Sequence, residues 1–155
     1  MCWQCENPEA TQEDYFDELR RMIRAHGWAV QCVEEDRRPF AYTIGLHAHA
    51  MPELLVTGLA PHDAGRLLNW AAAHSVQGLG WTAGQQLADP GGTPIEVVDV
   101  EWPDAHLKFA VALGGRGVRA QQLVWADSRG RWPWQAGWGH GRRRQPVLGV
   151  RSAAA

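Results

Sequence analysis

Lysine is almost missing from this chain: Lys108 is the only one in 155 residues, and every other basic side chain is arginine. With the Ala and Gly richness, this points to a GC-rich bacterial genome rather than to a binding mode. Cysteine is scarce as well. Three of them, an odd count, argue against a disulfide scaffold and leave metal binding or catalysis as the use to look for in a reducing compartment. No stretch reaches the roughly 18 uninterrupted apolar residues of a membrane span. The start lacks the basic flank and apolar run of a signal peptide, so the expectation is a cytoplasmic protein without a membrane partner. Strong charge of one sign is also missing. The formal net charge is -2, with ten acids against five bases in residues 1–60 and seven against ten in residues 61–155. That asymmetry is too weak for a nucleic-acid footprint.

What the chain does have is apolar residues and tryptophan. A 45% hydrophobic share over 155 residues is enough for one core. It predicts a single domain over 1–155, with 1–10 as a cysteine-containing arm and 135–155 as a Gly/Arg-rich tail. The nine tryptophans imply either a dense core or a ligand-lining, stacking surface, because each buries a large apolar area and carries an N–H that needs a partner.

Thr11 is placed to cap a helix in which Tyr15, Phe16, Leu19, Met22 and Ile23 recur at helical spacing, acids early and arginines late, with Gly27 as its C-cap. Residues 28–33 then alternate as a strand. The FAYTIGL stretch alternates too, Phe40, Tyr42 and Ile44 on one face, making a hairpin with a longer loop. HAHAMP reads as a loop, ELLVTG as a strand, and Pro61 as the first residue of a second helix with Ala64, Leu67, Leu68, Ala71 and Ala72 along one stripe. A short strand is expected near 85–87. IEVVDVEW and VRAQQLVWA are strands flanking a third helix that starts at Pro103, and RWPW is confined by its proline to an edge. The sum is an α+β fold: a mixed, mostly antiparallel sheet with about three helices packed on one face.

The opening MCWQCENPEAT sets Cys2 and Cys5 in a C-x-x-C spacing suited to half of a tetrahedral zinc site. A helix over 11–26 is about 24 Å long. The strand after Gly27 returns roughly 15 Å by Cys32, which brings Cys32 toward the helix's first turns, and His106 or another histidine could complete a Cys3His set. The competing reading makes Cys32 a small core residue. A redox pair would need a helix N-terminus directly after the cysteines, and an amino-terminal Cys2 nucleophile would need a preorganised oxyanion hole.

His47 and His49 could chelate together from an extended backbone, or be a solvated loop. Asp104 and His106 straddle a helix start, where Asp104 answers the dipole and His106 could serve as base or ligand. In FAYTIGL, Thr43 and Gly45 face away from Tyr42. Glycine in a strand marks a bulge or a close approach, so a pocket is expected there, lined by Thr43, His47, Glu53 and Trp125. The alternative is that Gly45 only lets a helix pack closely. RGRWPW and GRRRQ could serve an anionic partner or single-stranded nucleic acid, though without bases and aromatics alternating on one strand a solvated tail is the expectation.

The stretches MCWQC with NPEAT, HGWAVQ, FAYTIGL with PELLVTGL, WPDAHL, QLVWAD with RGRWPW, and QPVLGV keep their order over most of the chain. Together they resemble a bacterial family of unknown function, common in actinobacteria and numbered four-two-six-two in the domain-of-unknown-function series. The resemblance implies no stated activity and carries over no catalytic residues. Two functional expectations follow from the residues themselves. One is a small domain binding zinc through its amino-terminal cysteines. The other is a non-catalytic module that holds a small molecule or a protein on a Trp-rich sheet surface.

Overall fold

A computed structural model of the chain describes residues 3–34 and 38–152. A first turn of helix, α1 (Trp3–Glu6), leads to α2 (Gln12–His26). Thr11 caps α2 through a reciprocal pair: its hydroxyl accepts the Asp14 N–H at 3.1 Å, and the Asp14 carboxylate accepts the Thr11 N–H at 2.8 Å. Gly27, left-handed at φ 94°, closes the helix by donating its N–H to the Ile23 carbonyl. Both signals sit where the sequence puts them, because a capping box and an αL glycine are local chemistry.

Six strands follow: β1 (Ala29–Val33), β2 (Phe40–Ile44), β3 (Glu53–Thr57), β4 (Gln86–Ala88), β5 (Pro94–Asp99) and β6 (Ala120–Trp125), with α3 (Pro61–Val76) between β3 and β4. The spatial order is β1-β2-β3-β6-β5-β4. All pairings are antiparallel except β3 with β6, which run parallel at the centre. The mixed, mostly antiparallel α+β class therefore holds.

The helices are not on one face, however. Leu54 and Val56 of β3 pack with Ala64, Leu68, Ala71 and Ala72 of α3. Leu55, between them in sequence, packs with Tyr15 and Leu19 of α2 on the other side. Strand side chains alternate, so α3 covers one face while α2 and the later short helix α5 (Lys108–Gly114) cover the opposite one. A strand buried on both faces shows no alternation of polarity, and β3 and β6 are buried at every position.

Two other expectations are corrected. The helix expected from Pro103 breaks at Leu107 (φ -93°, ψ 59°) into α4 (Pro103–His106) and α5. The break buries Leu107 completely. It also leaves the Phe109 N–H to be satisfied from the sheet, by the Tyr42 hydroxyl at 3.1 Å. RWPW is not an edge strand. Asp127 gathers the N–H groups of Arg129, Arg131 and Gly139, each at 2.9 Å, which ties the segment into turns and stacks Trp132 on Trp134.

Part of the sequence-expected tail is firmly placed. Gln145 exchanges two hydrogen bonds with the Trp125 backbone, and the Pro146 carbonyl accepts from Thr57 Oγ1 and Gln122 Nε2. Leu148 joins the α2-side core. Arg151 makes a two-pronged ion pair with buried Glu96, at 2.7 and 3.0 Å, while lying over the Trp134 ring. Residues 145–151 thus form a strap across β6 and β5, with Leu148 on the second face.

Candidate functional site

Glu53 starts β3 and is fully buried. Its Oε1 accepts the Thr43 hydroxyl and the Leu46 N–H, both at 2.9 Å. Its Oε2 accepts the Gly45 N–H at 2.9 Å and faces the His47 Nδ1 at 2.9 Å, with the His47 N–H farther off at 3.5 Å. An ionised carboxylate only accepts, so Nδ1 carries the proton and His47 presents Nε2 outward. Thr43 relays the order, its Oγ1 taking the Leu54 N–H at 2.9 Å. The hub is possible because residues 46–49 of the expected loop form a 3-10 turn, not the extended backbone that chelation by His47 and His49 would need, and its first N–H groups converge on one acceptor. His49 is consequently exposed and does not chelate alongside His47.

The carboxylate at Nδ1 raises the His47 pKa above the ordinary imidazole value, against a smaller opposing effect of burial. His47 lines a small hollow of about 220 Å³, with Arg20, Ile23 and Arg24 from α2, Gly45 and Ala48 from the turn, and Leu113 from α5.

Gly45 has φ 120°, and a Cβ there would sit 3.1 Å from the Gly27 carbonyl oxygen and from both Ile23 γ-carbons. The structure shows a close approach of helix to turn at this glycine, beside the hollow that Gly45 and His47 also line. Gly45→Ala is expected to cost about 2 kcal/mol or more from strain and crowding together. Urea unfolding would measure it, and a cost near zero would mean that the turn shifts freely.

Trp125 does not join Thr43, His47 and Glu53. Its Nε1 donates to the Thr57 carbonyl at 2.9 Å. Thr57 is at the far end of β3, four residues or about 13 Å from Glu53. There Trp125 packs on Trp138 and under Arg143, whose guanidinium carbon is 4.8 Å from its ring centre. It lines a cleft of about 950 Å³ between α3, the β4–β5 turn and the end of β6, with Arg66, Asn69, Trp70 and Arg143. Neither Arg66 nor Arg143 pairs with a carboxylate among the described residues. Asp127 also borders the cleft. Burial alone would push its pKa up, but the N–H donors of Arg131, Gly139 and Arg129 outweigh this and hold it below the ordinary range. Its role is to fix the turn. This cleft is not legible in the sequence, because the residues lining it are spread over residues 59–143.

Among the described residues no three His, Cys, Asp or Glu side chains assemble as a metal-binding group. Cys2 lies outside the described residues. Cys5 is exposed, on the helix whose Trp3 stacks against Tyr15 on the α2 side. Cys32 packs against the α3-side core, and burial pushes its thiol pKa up. That is the core-residue reading, and it works against a thiolate ligand. His106 ends α4, half-buried, and no hydrogen bond joins it to exposed Asp104, which caps nothing. Zinc at these residues gains no support from the described part of the chain.

Among the described residues, the fold and its buried carboxylate hub thus define a two-faced α+β domain with a hollow on each side of the sheet. A family profile described as Domain of unknown function (DUF4262) matches residues 22–139, and the chain belongs to that family. Neither a curated protein nor a solved structure gives a match. The matched span contains Thr43, His47, Glu53 and Trp125, whereas Cys2 and Cys5 precede it and the strap follows it. No helix among the described residues is long and apolar enough to cross a membrane.

Proposed function

We propose that this domain is a binding module for a small molecule that combines an anionic group with a flat apolar part, held in the cleft between α3 and the β4–β5 turn. The observation that supports this reading is the presence of two guanidinium groups outside any ion pair among the described residues, Arg66 and Arg143, in an aromatic and aliphatic lining that includes Trp70, Trp125, Leu67 and Ile95; of the carboxylates in the same lining, Asp89 and Asp127 accept backbone N–H groups and Asp63 stands in the first turn of α3. A volume of about 950 Å³ lies at the upper end of what small-molecule sites use. Guanidinium forks suit carboxylate or phosphate, and Trp faces suit a ring. The tryptophans serve a margin between helix and sheet, since α3 covers the sheet surface itself.

The anionic dye 1-anilinonaphthalene-8-sulfonate has both features and serves as the probe. Saturable one-to-one binding with blue-shifted emission is expected, together with a loss of at least about tenfold in affinity for the Arg66→Gln, Arg143→Gln double variant, the equivalent of 1.4 kcal/mol. Both residues are exposed, so the variant should melt as the parent does. Undiminished dye binding in a folded double variant would overturn the assignment.

A further inference from the structure

We infer that the hollow beside His47 is a second binding site, specific for a dianionic oxyanion, a phosphate or sulfate group, and independent of the cleft on the opposite face of the sheet. The ring of His47 is fixed from behind by Glu53 at 2.9 Å and packed against Gly114, where even a Cβ would come within 2.8 Å of its Cδ2. Its remaining polar atom, Nε2, has no partner among the described residues. A histidine held this rigidly by a buried carboxylate, itself fixed by the Thr43 hydroxyl and two backbone N–H groups, is more order than a solvated loop needs.

Arg20 and Arg24 line the same hollow as His47, one turn apart on α2 and therefore on the same side of the helix. Arg20 is shared with Glu13 at 3.2 Å and Asp17 at 2.9 Å, whereas Arg24 makes no ion pair among the described residues. A volume of about 220 Å³ is roughly seven times one water's share of liquid. It accepts a five-atom oxyanion with some of its hydration but no large ligand. The rest of the lining, Ile23, Ala48 and Leu113, is apolar and lowers the competition from solvent.

The state of Nε2 decides the sign of the interaction. With Nδ1–H committed to Glu53, a neutral His47 offers a lone pair at Nε2 and repels an anion. The protonated ring offers an N–H there and binds one. The charged groups that line the hollow or bond the ring are Arg20 and Arg24 from α2 and Glu53 from β3; Leu113 and Gly114 of α5 do not titrate, and Arg119, beyond α5, donates to the Ala50 carbonyl at the end of the turn. Because Glu53 raises the His47 pKa, the binding form extends to higher pH than in an ordinary histidine. Anion affinity should rise as pH falls through that pKa, and by linkage the anion should raise the pKa further.

Sulfate is the probe, since it stays dianionic throughout. The His47 ring Cε1–H resonance, followed by NMR on the full chain, should shift saturably with sulfate, and sodium chloride at equal ionic strength should not reproduce the shift. Affinity should fall at least about tenfold between pH 6 and pH 9 as the ring loses its proton. Arg24→Gln should lose the sulfate response while keeping the Nδ1 contact. Acetate should compete poorly. Comparing phenyl phosphate with inorganic phosphate at one pH then tells an esterified group from a free ion; tighter binding of either supports the oxyanion.

Three results would overturn the inference: a shift no larger than that of exposed His62 on α3, a response unchanged in Arg24→Gln, or acetate binding as well as sulfate, which would make the site a carboxylate receptor. The sulfate readout and the dye readout sit on opposite faces, so either site can fail without the other.

Discussion

Glu53→Gln should lower the stability of the domain by about 3–5 kcal/mol, because it breaks a buried, fully donor-saturated carboxylate. The amide keeps the shape but supplies one acceptor oxygen where two now serve the Thr43 hydroxyl, the Gly45 and Leu46 N–H groups and the His47 ring. Its NH2 would point at donors. At about 2–4 °C per kcal/mol for a chain of this size, the melting point should drop by about 6–20 °C. The penalty should also depend on pH. His47 has a raised folded pKa, so its pairing contributes stability that is fully present below the unfolded histidine value and is lost as pH rises through the folded one. The gap between parent and variant should therefore be widest in mild acid and narrow toward alkaline pH. Urea unfolding across that range checks both points. A gap under about 1 kcal/mol would mean that the hub contributes no more than an ordinary surface pair.

Trp125→Ala should cost a similar amount, about 3–5 kcal/mol, by emptying a core position that is only 4% exposed. It should also abolish dye binding in the cleft, because Arg143 loses the ring on which it rests. Trp125→Phe separates the causes. It keeps most of the packing and orphans the Thr57 carbonyl, for a cost of about 1–2 kcal/mol. Trp138, its neighbour at 5.2 Å, is the comparison. The Trp138 indole N–H is buried with no partner among the described residues. Trp138→Phe should therefore cost little beyond volume, and a loss as large as that of Trp125→Phe would show that this N–H has a partner after all.

The difference between those two tryptophans was not visible in the sequence. What was visible was local. Thr11, Asp14 and Gly27 bound their helix through contacts no more than four residues apart, and the alternation of Phe40, Tyr42 and Ile44 put them on the α2 side. Thr43, His47 and Glu53 could be brought together from sequence, since a single turn and one strand pairing join them.

Trp125 could not be assigned the same way, because its place depends on β6 inserting between β3 and β5. The covering of both faces was hidden for a related reason. The ELLVT and AQQLVW strands have no polar side, and in the second the glutamines are buried by bonding to Asp99, the Trp81 carbonyl, Thr57 and the strap. Burial of this kind is a tertiary outcome that polarity alone misreads. The strap is not legible in the sequence because a Gly/Arg-rich composition suggests a loose end, whereas Gln145 and Arg151 are fixed by partners 20 and 55 residues away.

The central position of β6 has a consequence for the order in which the chain can complete itself on the ribosome. Synthesis proceeds from the amino terminus, so β1, β2 and β3 can form a three-stranded meander while β6 is still unmade. During that interval the open side of β3, with Leu54 and Leu55 on it, is a bare edge with unpaired backbone groups, and β5 in its turn has the same exposure. Such edges are the surfaces on which nascent chains pair with one another. When residues 120–125 emerge they close both edges in one step. The interval between β3 and β6 is thus the stretch of synthesis in which this protein most needs protection from its own copies.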